Sequence, residues 1–365
     1  MLAALLVSFS IAAGAPSDDT AQSEKAAADL LKKRLENEAP EDKALLDGLH
    51  GKEIVVVRGS MDHIESVLAA AGIRHVAINP MEVAGYALDH KMIVMVDCPG
   101  DIGPQGRAVL ERFVRAGGLL YTTDWALTNL IARTFPGTIA PTGGSTGSEV
   151  VAVHIDKEDD NLMSSILLKK GSKPTWWLEG GSHPVKVLDR TKVEVLASSP
   201  EMGKRYGASP VVVRVRWEDG EIVHVVSHFY RQMAAKGDMT NANVAVDSYE
   251  GLTPEQKAAF KGSGVGGGLN SASVESSYSF QRGTANLITS KLKKNKKLVD
   301  SYDKAAPVGT QLRGSAKKDG AAAGKTAGTG RLKILKKDGN AVKVRDDAGN
   351  EGWLDADAVT AAPKP

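Results

Sequence analysis

The chain has 365 residues, 42% of them hydrophobic, a formal net charge of +2 and a single cysteine. Two or three domains fit that length. The near-neutral charge gives no whole-chain field for nucleic acid, and one cysteine excludes both an internal disulfide and a cysteine-based zinc cluster.

In chain order, residues 2–15, LAALLVSFSIAAGA, form an apolar run that ends in an A-x-A pattern at Ala13-Gly14-Ala15. Too short to span a bilayer comfortably, the run is expected to be a signal peptide over 1–15, which predicts an exported, periplasmic or extracellular protein. It lacks an N-terminal Lys or Arg, and the alternative is a buried N-terminal helix. No other segment is long and apolar enough to cross a membrane, so the mature chain is expected to carry no transmembrane span. A helical lead-in is expected over 16–50, where Ala, Lys, Glu and Leu dominate and Leu30, Leu31, Leu35, Leu45 and Leu46 offer an apolar stripe.

From Glu53 the pattern alternates between strand and helix. EIVVVRG, HVAINP, KMIVMVDC and LLYTTDW read as strands. His63–Ala71, residues 104–116 (Val109, Leu110, Phe113 and Val114 inward) and ALTNLIARTF read as helices. Such β-α units imply a mostly parallel sheet. EVVAVHI, VKVLD, VEVLAS, SPVVVRVRW and EIVHVVS follow as strands, the last two as a hairpin turning at Asp219-Gly220. Residues 261–273 are rich in glycine and serine but lack the G-K-[ST] of a phosphate cradle. SYSFQRGTANLITSKL reads as a closing helix. The adjoining run Lys291, Lys293, Lys294, Lys296 and Lys297 reads as a solvated helix end, with an anionic surface as the alternative partner. Residues 299–330 are expected to be a linker or a low-complexity loop within the last domain. GRLKILKKDGNAVKVRDDAGNEGWLDADAV then has the turn spacing of a small all-β barrel.

The order VVVRG, HVAINP, IVMVDCPGD, RFVRAGGLLYTTDW, SPVVVRVRWEDGEIVHVVSHFYRQ resembles the class I glutamine amidotransferase-like superfamily, in particular its ThuA-like, non-amidotransferase branches. The resemblance spans roughly 50–295. It implies a flavodoxin-like three-layer α/β domain over 51–298. It also implies a nucleophile turn at Thr122-Thr123-Asp124-Trp125 and a catalytic-type His at His228. A working member needs Cys at that turn and Glu two residues after the His, because thiol, imidazole and carboxylate act as one unit. Here those places hold Asp124 and Tyr230, so glutaminase chemistry is not expected. The tail is similar to bacterial SH3-like domains through Leu312-Arg313, LKILKKDGNAVKV and the closing Gly349-Asn350-Glu351-Gly352-Trp353-Leu354. That implies an SH3-like domain over 306–361, with Trp353 as ligand platform or core residue and an unknown protein or a cell-wall polymer as partner.

Asp97, Cys98, Asp101, Asp124, Trp125 and His228 all fall at expected strand C-termini, where the ligands of α/β sheets bind. Cys98, Asp101, Asp124, Trp125 and His228 are the candidate ligand contacts. Asp124, His228 and Cys98 are the candidate catalytic groups. Asp124 with His228 offers an acid–base pair or a grip on a metal, against a bland role for Asp124 as a helix cap. Cys98 is weighed as a reactive thiol against a buried small hydrophobe. His154 and His224 read as structural, and Trp176-Trp177 as packing or as a cleft wall beside Gly180-Gly181-Ser182-His183. With no metal-binding or cofactor motif, no cofactor is expected. The reading favoured by the sequence is a non-catalytic binding protein of the envelope with an SH3-like tether. The alternative is a hydrolase of sugars or peptides working through Asp124 and His228.

Overall fold

The computed structural model of the protein describes residues 18–169, 171, 174–228 and 239–363. The apolar run 2–15 and Tyr230 lie outside them.

Two helices lead in, α1 (Asp18–Glu38) and α2 (Pro40–Asp47). There follow β1 (Ile54–Val57), α3 (Ile64–Ala70), β2 (Val76–Ile78), β3 (Ile93–Val96), α4 (Pro104–Arg115) and β4 (Leu119–Thr123). A π-helical turn, Leu127–Ile131, runs into the short α5 (Ala132–Thr134). An excursion of short strands comes next: β5 (Ile139–Pro141), β6 (Glu149–Ala152), β7 (His154–Ile155), β8 (Thr175–Leu178) and β9 (Val185–Val187). Then β10 (Val193–Ser198), α6 (Pro200–Tyr206), β11 (Pro210–Trp217) and β12 (Gly220–Val225) complete the sheet. The helices α7 (Ala242–Ala245), α8 (Pro254–Gly262) and α9 (Ser271–Ser301) close the unit. None of the described helices is long and apolar enough to cross a membrane.

The main sheet has the order β2-β1-β3-β4-β12-β11-β10-β7. It is parallel from β2 through β12 and antiparallel from there to β7. The strands β1, β3 and β4 are buried along their whole length, which is why they read as unbroken apolar runs. α4 buries Gly106, Leu110, Phe113 and Val114. Side chains the size of Leu and Phe contribute about 1.5–3 kcal/mol each when fully buried. Val109, expected inward, is only half-buried. A second core joins Leu30, Leu31 and Leu35 of α1 to Phe260 and Tyr278, while Leu45 and Leu46 stay half-buried. The hairpin forms one residue earlier than the sequence suggested. Trp217 pairs with Gly220, so the two-residue loop is Glu218–Asp219, with Glu218 at φ 53°.

The C-terminal unit is an antiparallel sheet of β13 (Lys304–Ala305), β14 (Gln311–Arg313), β15 (Ala322–Lys325), β16 (Arg331–Asp338), β17 (Ala341–Asp346), β18 (Glu351–Asp355) and β19 (Thr360–Ala361), in the order β15-β14-β18-β17-β16-β13-β19. Leu312, Leu332, Val342, Val344 and Leu354 fill its core. The stretch 299–330 is not a linker. It extends α9 and supplies three of these strands, of which β15 has an exposed Ala-Gly-Lys composition that hid it. Trp353 pairs across the sheet with Lys343 and Arg313 and is half-buried outside the core cluster.

This unit docks on the α/β domain. The side chain of Arg345 is 4% exposed. It donates to the backbone oxygen of Arg115 (2.9 Å), to Asp219 (2.9 Å) and to Glu351 (2.8 Å). The Tyr302 hydroxyl donates to Ala116 O, and its ring stacks on His90 at 4.8 Å. Lys291 is a correction to the solvated lysine run. Buried, it donates from Nζ to His90 O (2.6 Å) and Gly117 O (2.7 Å), and burial brings its ammonium down to about 7. Its neighbours follow the expected pattern, with Lys293 pairing with Asp42 and Lys294 with Glu221.

Candidate functional site

In a parallel sheet the strand C-termini lie along one edge, so loops far apart in sequence converge there. At this edge the chain leaves β1 outward to β2, then returns past β1 to β3. A crevice of about 370 Å³ opens at that reversal, lined by Arg58, Ser60, Asn79, Asp97 and Asp101 among others.

Beside it lies a buried polar cluster. Asp124 follows β4 at φ 44°, in the left-handed region that Asp tolerates better than most residues. Its N–H donates to Val225 O (2.9 Å), which ties the bend to β12. The bend also leans on the loop after β3. A Cβ on Gly100 would lie 2.6 Å from the Ala126 Cβ, and Gly100 has φ 68°, so only glycine fits there. Gly59 allows a similar approach, since a Cβ there would meet Cys98 O at 2.0 Å.

The Oδ2 of Asp124 lies 3.5 Å from His228 Nε2 and 3.9 Å from Cys98 Sγ. The other ring nitrogen of His228, Nδ1, contacts Glu179 Oε2 at the end of β8. Asp62, in the loop after β1, accepts from Cys98 N–H (2.7 Å) and from the Thr123 hydroxyl (2.6 Å), and its Oδ2 lies 3.9 Å from His228 Nε2. Ser227 donates to Ser182 (3.0 Å) and accepts from Glu179 N–H, fixing the β8 end against the β12 end. Asp62, Asp97, Cys98, Asp124 and His228 are each at most 3% exposed.

Burial sets the electrostatics. It pushes the Asp124 carboxyl up to about 7, against the pull of His228 and Ser182. It raises the Cys98 thiol, with Asp124 adding to the effect. It also raises Asp62, and lifts Asp97 well above the usual carboxylate range, with Asp62 as the next cause. For His228 burial favours the neutral ring, but Glu179, Asp62 and Asp124 together outweigh it and raise the imidazole.

Of the residues singled out in the sequence, the fold brings Cys98, Asp124 and His228 together and sets Asp97 between cluster and crevice. Asp101 is exposed on the crevice rim, apart from the cluster. Trp125 is 37% exposed, donates to Gly181 O and stacks on His183 at 6.1 Å. Asp124 is a helix-entry residue as well, since Leu127 N–H bonds its carbonyl, but none of its side-chain contacts is a cap. His224 is structural, buried in β12 with Nδ1 2.9 Å from Thr122 Oγ1. Trp176 is packed, at 7% exposure. Asp62 and Glu179 escaped the sequence reading. Asp62 lies five residues past β1, where a strand-end search stops short. Glu179 follows the Trp pair already marked as a cleft wall, and that was its one signal.

No family model matches the chain, and no curated protein does. Among solved structures, it is similar to an exo-β-1,4-mannosidase from an Opitutaceae bacterium, at 12% identity over 49% of this chain and 31% of that one, TM-score 0.32. A β-galactosidase from Bacillus circulans matches at 13% identity over 89% of this chain and 44% of that one, TM-score 0.34. A ThuA-like protein from Bacteroides uniformis matches at 13% identity over 49% of this chain and 83% of that one, TM-score 0.34. The chain spans less than half the length of these glycosidases. Likenesses this weak decide neither fold nor chemistry.

Proposed function

We propose that this chain is a binding protein rather than a hydrolase. Its α/β domain, which we read as a flavodoxin-like, amidotransferase-like domain, holds a small ligand in the crevice. Its C-terminal antiparallel unit, which we read as SH3-like, tethers the exported protein to a wall polymer or to a partner protein.

One observation carries the reading: the bend that would present a nucleophile presents Asp124 instead. That carboxyl is buried and half-protonated near neutrality. The Cys98 thiol sits beside it, not on the bend, with its Sγ 3.9 Å from Asp124 Oδ2. Nucleophilic catalysis by a cysteine needs a thiolate, and burial beside Asp124 holds the Cys98 thiol in its protonated form. The strand order β2-β1-β3-β4 supports the flavodoxin-like reading. The test is a thermal-shift screen of small ligands on the full chain, compared with Arg58→Ala on the crevice wall. A ligand whose shift is lost in Arg58→Ala supports the reading, and glutaminase turnover by the wild type contradicts it. For the tether, Trp353→Ala in the full chain is cleaner than removing 306–365, which would strip Arg345 from Asp219. Weaker envelope association of Trp353→Ala is the expected result.

A second reading is favoured by the Asp124–His228–Glu179 line, in which one imidazole joins two carboxylates through its two nitrogens. That is the order of a relay, with His228 as proton acceptor and Glu179 orienting it. Hydrolysis of a glycoside or peptide substrate that disappears in His228→Ala would establish it.

A further inference from the structure

We propose that the buried cluster beside the crevice is a site for one divalent transition-metal ion of the zinc or cobalt type, held by Cys98 Sγ, Asp124 Oδ2 and His228 Nε2. This names a ligand for the binding reading above and rests on it.

The three donor atoms lie within 4.8 Å of one another. Two separations are 3.5 Å (Nε2–Oδ2) and 3.9 Å (Sγ–Oδ2). Metal–ligand bonds of about 2.0–2.3 Å set tetrahedral edges of about 3.3–3.6 Å, so the two separations to Oδ2 need shifts of a few tenths of an ångström, and Sγ and Nε2 need a closer approach by up to about 1 Å, which side-chain rotation can supply. One sulfur, one imidazole nitrogen and one carboxylate oxygen suit zinc or cobalt(II). Calcium and magnesium call for an all-oxygen shell.

Three further features point the same way. Among the described residues no hydrogen-bond partner lies in reach of the buried Oδ1 of Asp124, on a side chain 5% exposed, although Ser182 is near enough to the carboxyl to favour its ionised form. Glu179 engages Nδ1 of His228, which turns Nε2 toward the other two donors, the carboxylate–histidine–metal arrangement of built sites. Asp62 ties the Cys98 backbone to Thr123, so the two loops that carry Sγ and Oδ2 are held in register from behind. Among the described residues no Lys or Arg pairs with Asp62 or Asp124, so the one imidazole of His228 faces three carboxyls, and an ion would offset the negative charge that it leaves. Binding would release to solvent the Cys98 thiol proton, the Nε2 proton of His228 and any proton on Asp124, and three protein donors leave one tetrahedral position for water or another small ligand.

The test is titration of the chelator-treated full chain with Co²⁺. One equivalent is expected to bind, with the visible spectrum of four-coordinate cobalt and a near-ultraviolet sulfur-to-cobalt band. Cys98→Ser should lose the near-ultraviolet band. Asp124→Asn should weaken binding more than tenfold. Glu179→Gln should weaken it about 10–100-fold while circular dichroism shows the fold intact. A folded wild type that binds no Co²⁺, or a sulfur band that survives in Cys98→Ser, overturns the metal site. If the Arg58-dependent thermal shift persists in that case, the metal alone is wrong. If that shift is missing too, the binding reading falls with it.

Discussion

Asp124 holds φ 44° at the exit of β4, a conformation that costs an ordinary side chain about 1–2 kcal/mol. Glycine adopts it freely. Asp124→Gly is therefore expected to be more stable than Asp124→Ala by about 1–2 kcal/mol, read as a higher urea midpoint, although both lose the carboxylate. Equal midpoints would mean that the bend relaxes. His224 makes a prediction about pH. Burial brings its imidazole down to about 3, so the native state takes up its proton later than the unfolded chain does. Its contribution is complete above the ordinary value of 6.5 and is lost as pH falls toward 3. In chemical denaturation between pH 7 and pH 4, His224→Gln should lose less stability than the wild type, by an amount of a few kcal/mol at most. Cys98, Asp124 and His228 were legible because each ends a strand whose apolar run is obvious, and parallel strands must end together. Asp62 and Glu179 were not. Nothing in the order of residues says that the β6–β8 excursion folds back to set a carboxylate against His228.

The parallel half of the sheet was readable element by element, because strands buried on both faces cannot hide in a sequence. The elements misread were those whose register or role depends on partners. The Glu218–Asp219 loop is set by the pairing of Trp217 with Gly220 and not by the Asp-Gly dipeptide. The helix expected over ALTNLIARTF begins as a π turn, a form common where side chains are re-aimed near a site. The bend before it depends on contact between two loops, and Gly100 makes that contact possible. Gly100→Ala would put a Cβ 2.6 Å from Ala126 at φ 68°. The expected cost is about 1–3 kcal/mol of stability, read as a lower urea midpoint with an unchanged slope.

Across the whole molecule, the two units are joined by buried polar contacts that no single-segment pattern reveals. Arg345 is hydrogen-bonded to both units at once, and Lys333 adds a second bridge to Asp219. Removing one partner of a buried ionic network costs about 3–5 kcal/mol, because the others stay buried and uncompensated. Arg345→Ala is thus expected to split a single calorimetric transition into two, with the C-terminal unit melting first. A single transition at the wild-type temperature would show that the contacts add nothing to the docking. Lys291 and Lys294 illustrate the same point from the lysine run, since one is buried under the interface and its neighbour pairs with Glu221 at the surface. The account as a whole turns on the cluster where the strands end. The most direct measurement is anomalous X-ray scattering from crystals of the full chain grown with zinc, recorded on both sides of the zinc edge. The account predicts one peak bonded at about 2.0–2.3 Å to Cys98 Sγ, Asp124 Oδ2 and His228 Nε2. A cluster with no peak, its three donors hydrogen-bonded only to one another, would contradict it.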